Sequence, residues 1–227
     1  GVHYNGYIID SAFTKIFNTK YEPLLEAAKD ATNTGIRLAG NDAILGEIGA
    51  SIQEVIESYE FDLDNKSTKL KSIYDLSGHQ ISQYKIHGKK AVPLVKIDYN
   101  ERMKAGEFFA IETFPTTGIG RVQEGNEISH YMINYKKNYK SISLTGKEKR
   151  LLKTIEKNFS TLAFCNRWLK ELKTENYQTG LKALVDKGVV NSYPPLYDTD
   201  GSYVAQSEHT IYINDNSVEI LSKFNNY

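Results

Sequence analysis

Three carboxylates stand inside runs that otherwise read as apolar β-strands: Asp10 in YIIDSAF, Glu112 in FFAIETF and Glu208 in QSEHTIYI. A carboxylate buried alone in such a run is costly, so a fold that accepts these strands must neutralise, pair or ligate their acids. Taken singly, each acid reads as an edge or solvent-facing residue. A lone histidine such as His79, His87 or His130 likewise reads as a hydrogen-bonded structural side chain. Together, three strand carboxylates and a histidine after a glycine (Gly78-His79) form an oxygen-rich donor set with one imidazole. Hard oxygen donors with a single nitrogen suit manganese, iron(II) or cobalt better than a structural zinc, which favours cysteine and histidine. Carboxylates that can bridge two ions point to two-metal hydrolysis.

The rest of the pattern describes an α+β chain. Asn5-Gly6 between VHY and YIID is a favoured two-residue turn, so residues 2–17 are expected to form a β-hairpin. Pro23 opens a helix whose apolar positions run from Leu24 to Leu38 and which stops near Gly40. A second helix places Ile48, Ile52, Val55, Ile56 and Tyr59 on one face. The polar stretch 61–71 reads as a loop or edge hairpin. Strands are expected at 76–87, at 107–114, where Phe108, Ala110, Glu112 and Phe114 share a face, at 202–213 and at 217–221. Pro93 confines its own stretch to an edge or turn. Thr145 and Glu148 form a capping-box pattern ahead of Leu151, Leu152, Ile155 and Phe159, and residues 136–192 read as a helical block.

Composition narrows the function classes. Lysine plus arginine equals aspartate plus glutamate at 28 each, and no basic block interleaves with aromatics, so no nucleic-acid surface is expected. No apolar run approaches the roughly 18 residues that span a membrane, and no membrane partner is expected. The first residues lack a charged and then apolar leader. Cys165 is the only cysteine, which fits a reducing, cytoplasmic setting.

The segments GYIIDSAFT, EAAKDATNTGIRLAG, SGHQISQYKIH, FFAIETF, ISHYM, FSTLAFCNRWL, YPPLYD and AQSEHTI resemble type 2 methionine aminopeptidases in order and spacing over essentially the whole chain. The resemblance implies the pita-bread (creatinase/aminopeptidase) fold, here with an incomplete first half. Residues 1–135 and 193–227 would form the catalytic domain, and 136–192 the helical insertion of type 2 enzymes. It implies two divalent ions (manganese, cobalt or iron) held by Asp10, His79, Glu112 and Glu208, with a fifth ligand, an aspartate, expected two residues upstream of Gly1. Glu112 would act as general acid and base, and His87 would bind the substrate amide. Ile86, Phe114, His130, Ala163, Tyr193 and Leu196 would line the methionine pocket. The expected activity is removal of the initiator methionine from nascent polypeptides, by a monomer. Ribosome contact in this family involves an N-terminal extension outside these residues. With four ligands of five, little activity is expected of these 227 residues alone. Two alternatives stay open: a non-catalytic, proliferation-associated paralogue acting as a binding protein, and a prolidase or creatinase of the same fold.

Overall fold

The computed structural model describes residues 1–63, 66–174 and 176–223. It divides into two compact units, one of residues 1–123 and 197–227, the other of residues 124–196.

The first unit is built on a six-stranded antiparallel sheet. Its order is Val218–Ile220, Ser207–Ile213, Phe108–Thr113, Ser77–Ile81 and Ala91–Pro93, and Ser11–Phe13 pairs with the other end of the Ser207–Ile213 edge. Alternation along the central strands decides what each face does. Phe109, Ile111, Ile211 and Ile213 turn toward helices α1 (Glu22–Leu38) and α2 (Leu45–Glu57), where they pack with Ala27, Ala28, Ala31, Ile48, Ile52 and Ile56 into a closed core. Gly35 lets α1 approach closely, since a Cβ there would lie 2.8 Å from Ile111 Cγ2. Thr113 belongs to this face too. Its hydroxyl donates to the Ala28 carbonyl at 2.9 Å, and Thr32 donates to the Ser207 carbonyl at 2.9 Å, so helix and sheet are also joined by polar contacts.

The turn at Asn5-Gly6 forms as expected, with both residues at positive φ (49° and 80°). The hairpin is shorter than the sequence suggests, pairing only Val2–Tyr4 with Tyr7–Ile9. Beyond Asp10 the chain leaves it, because Ser11–Phe13 finds a better partner in Ser207–His209. The strand expected at 76–87 ends at Ile81, where Ser82 and Lys85 close a turn. The strand expected from 202 begins at Ser207. Pro93 closes an edge strand, where its missing N–H breaks no ladder bond. The stretch 61–71 forms a hairpin of Glu60–Leu63 with Lys66–Lys69, and residues 64 and 65 lie outside the described residues.

The second unit has its own core. The His130–Ile133 strand lies between Phe164–Cys165 and Val190–Tyr193, and the sheet packs with α3 (Gly146–Phe159), α4 (Asn166–Glu171) and α5 (Tyr177–Asp186). Ile133, Leu151, Leu152, Ile155, Phe164, Leu169, Leu181 and Leu184 are buried together. The capping box is complete: Glu148 N donates to Thr145 Oγ1, and Thr145 N donates to the Glu148 carboxylate. The compact unit reaches from 124 to 196, wider than the 136–192 helical block, because strand pairing draws His130–Ile133 and Val190–Tyr193 into it. Phe164 and Cys165, read from sequence as helical, are extended and pair with Tyr131 and His130.

Candidate metal centre

The sheet face turned away from α1 and α2 carries the acids. Glu208 and Glu112 lie directly opposite each other in the register of their strands, and His79 pairs with Ala110 one strand further across. Asp10 arrives from the link between Ile9 and Ser11. It is fixed by a reciprocal pair of bonds, Asp10 N donating to Thr210 Oγ1 and Thr210 Oγ1 donating to the Asp10 carbonyl, both at 2.7 Å. Ser11 adds a third tie, its hydroxyl donating to the Glu208 carbonyl at 3.2 Å. The carboxylate of Asp10 is thereby delivered to strand neighbours some 200 residues away.

Four groups converge. Asp10, His79 and Glu208 each offer a ligand atom, and these atoms lie within 4.8 Å of one another. His79 Nε2 stands 3.4 Å from Glu112 Oε1. Gln206 Nε2 donates to the other oxygen of Glu112 at 3.3 Å. The ring of His87 meets that of His79 edge-on, with centroids 4.6 Å apart.

The electrostatics are those of a donor set short of positive charge. Burial holds the carboxyls of Glu112 and Glu208 well above the usual carboxylate range, and nearby negative charge raises them further: Glu208 and Asp10 act on Glu112, and Asp10 acts on Glu208. Burial also pulls His79 down to about 4, the ring of His87 adding to the effect, so the imidazole is neutral and able to ligate. The backbone of Ile86 and Gln80 pulls weakly the other way, yet no hydrogen bond of normal geometry reaches His79 Nδ1, which is buried without a partner. A neutral imidazole and three carboxylates with few donors around them fit divalent cations of the hard-oxygen type.

The residues expected to line a substrate pocket fall in both units. Ile86, half-buried, and His87 belong to the first unit, and so does Phe114, which packs against the α1–α2 core. In the second unit His130 lies opposite Tyr193 on one side and Cys165 on the other, with Ala163 one residue before Phe164. Burial holds the Tyr193 hydroxyl above its ordinary pKa against a lowering bond with Asn191. Leu196 is exposed at the end of that unit. Sequence reasoning missed Gln206 and Thr210. Both carried a signal: they stand two residues before and after Glu208 on a strand, hence on the same face.

An antiparallel sheet backed by two helices, with a carboxylate–imidazole cluster on its open face, defines a metallohydrolase of the pita-bread type. Residues 1–144 match the metallopeptidase family M24, and the chain belongs to that family. It is 52% identical to methionine aminopeptidase 2 of Komagataella phaffii over 100% of this chain and 51% of that protein. It is 48% identical to methionine aminopeptidase 2A of Arabidopsis thaliana, with the same coverage. The chain thus spans about half the length of the curated relatives it matches. Among solved structures it is similar in fold to a thermophilic Arx1 (TM-score 0.77, 18% identity, 95% of this chain and 63% of that one). It is also similar to a methionine aminopeptidase from Thermotoga maritima (TM-score 0.56, 18% identity, 95% and 58%).

Proposed function

We propose that this chain carries most of the metal centre of a type 2 methionine aminopeptidase, which removes the initiator methionine from nascent polypeptides. The observation that carries this reading is the convergence of Asp10, His79 and Glu208 within 4.8 Å, with Glu112 beside His79. These four side chains would hold two divalent ions. When bound, such ions supply Lewis-acid polarisation of a carbonyl and lower the pKa of water toward 7.

The residues themselves do the rest. Glu112, its pKa raised, keeps a proton near neutral pH at a carboxyl that Gln206 orients, so it can pass that proton to a leaving amine. His87, edge-on to His79, would hold the substrate amide. Ile86 and Phe114 from the first unit and His130, Ala163, Tyr193 and Leu196 from the second would surround the methionine side chain, an apolar lining suited to a thioether. The lone, buried Cys165 supports a cytoplasmic protein. We further propose that the 227 residues alone turn over little substrate, since they offer three carboxylates and one imidazole to two cations. The non-catalytic paralogue reading is disfavoured by the convergence of all four donors.

Calorimetric titration of the 227-residue chain with manganese and cobalt tests the ligand set. Tight binding that is lost in His79→Ala and in Glu208→Gln is expected, and binding indifferent to both substitutions would overturn it. Turnover of Met-Ala-Ser with added manganese tests the activity of the chain by itself, and rapid hydrolysis would show that four ligands suffice.

A further inference from the structure

Chain-wide neutrality is a cancellation. Residues 124–196 hold 13 lysines and arginines against seven acids, whereas the other unit holds 15 against 21. The excess of positive charge is concentrated on α3. Its inward positions Leu151, Leu152 and Ile155 are buried, and Lys147, Lys149, Arg150, Lys153 and Lys157 are all exposed. Lys149, Lys153 and Lys157 recur every fourth residue, so they stack along one side of the helix about 6 Å apart.

Other cations of this unit are paired, Lys182 with Asp186 and Lys187 with Glu148. Among the described residues no ion pair holds any of the five on α3. The two acids of that helix are engaged elsewhere: Glu148 caps the helix and binds Lys187, and Glu156 accepts from the Tyr139 hydroxyl. At the start of α3 a polar concavity of about 710 Å³ is lined by Lys147 and Arg150 with the hydroxyl-bearing Thr145, Thr154, Thr174 and Thr179. Cations and hydroxyl donors around a concavity offer what phosphate oxygens accept.

We infer that the exposed face of α3 binds the phosphodiester backbone of a nucleic acid, without base specificity. Five cations held by no acid would release counterions from such a backbone on contact. A lipid surface fits less well, because the exposed positions of α3 carry only charged or amide side chains and nothing to insert among acyl chains. The balanced net charge that speaks against nucleic acid at the level of the whole sequence is thus an average over two oppositely charged units.

Fluorescence anisotropy of the full chain with a labelled 20-base-pair RNA duplex, and with a DNA duplex of the same sequence, tests this. At low salt, micromolar binding is expected, weakening steeply as salt rises. Lys149→Gln, Lys153→Gln and Lys157→Gln together should reduce affinity at least about tenfold and flatten the log–log salt slope by roughly 2 to 3. Lys→Arg at the same three positions should preserve binding, and Lys→Gln at the exposed Lys15, Lys89 and Lys96 of the other unit should leave it unchanged. A preference for RNA or for DNA assigns the source of the backbone. Undiminished binding by the triple Gln variant overturns the inference, and so does tighter binding to phosphatidylserine vesicles or to polyglutamate than to either duplex.

Discussion

The molecule buries carboxylates in two quite different ways. Asp198 lies in a nest of donors: Thr116 Oγ1 at 2.8 Å and the backbone N–H groups of Gly120, Ile119 and Thr199 at 3.0, 3.1 and 2.7 Å. Burial alone would raise its pKa, but these bonds outweigh burial and hold it below the usual range. Glu112 and Glu208 are buried as deeply, yet the side-chain donor that reaches Glu112 is a single amide at 3.3 Å, and both are pushed the other way. A structural acid comes with its donors built in. An acid left wanting positive charge, next to a neutral imidazole, marks a place meant for a cation.

Several measurements would break or sharpen that contrast. The largest effect is expected on metal binding: Glu208→Ala removes a ligand, and cobalt affinity read by titration should fall by about 100-fold or more, since even outer-shell losses cost 10–100-fold. Asp198→Ala should leave metal affinity within a few-fold, yet lower the unfolding free energy by about 3 kcal/mol in urea titrations, because buried N–H donors lose their acceptor. Glu112→Gln should act with the opposite sign and stabilise the metal-free protein.

Its pH dependence follows from the sign of the shift. A carboxyl whose folded pKa is raised contributes stability below the unfolded value, near 4.5, and loses it as pH climbs through the folded value, about 9. The stability gap between Glu112→Gln and the parent should therefore widen from about pH 4.5 to about 9 and then level, and a gap independent of pH would contradict the assignment. Asp198, with a lowered pKa, should stabilise the fold at neutral pH and release that contribution only below 3.8, as pH falls through its folded value. The smallest effect concerns the second unit, where Thr145→Ala removes the α3 cap at a cost of about 1 kcal/mol in thermal unfolding.

Local chemistry was legible in the sequence where one short segment decides the outcome. Asn5-Gly6 sets its own turn, Thr145 and Glu148 complete their own cap, and the FFAIET strand shows its alternation without outside help. The acids out of place in apolar runs pointed to Asp10, Glu112 and Glu208, while the roles assigned to His87 and the pocket residues rested on family resemblance. What the sequence left hidden depends on distant partners. Nothing near Asp198 announces that its donors come from Thr116–Gly120, about 80 residues earlier. The detachment of Ser11–Phe13 from the first hairpin depends on a strand that begins at Ser207. Gln206 was overlooked because an amide in a strand carries no charge to draw attention, although its spacing from Glu208 placed it on the correct face.

The reciprocal bond between Asp10 and Thr210 gives the site a timetable. During synthesis the first ligand exists as an unanchored side chain until almost the entire polypeptide has been made, since its partner lies 200 positions later. Closing so long a loop is entropically costly and slow compared with forming α1 and α2, whose contacts are near in sequence. The helical scaffold can therefore be in place while the cation cradle is still open. Metal capture then coincides with completion of the chain.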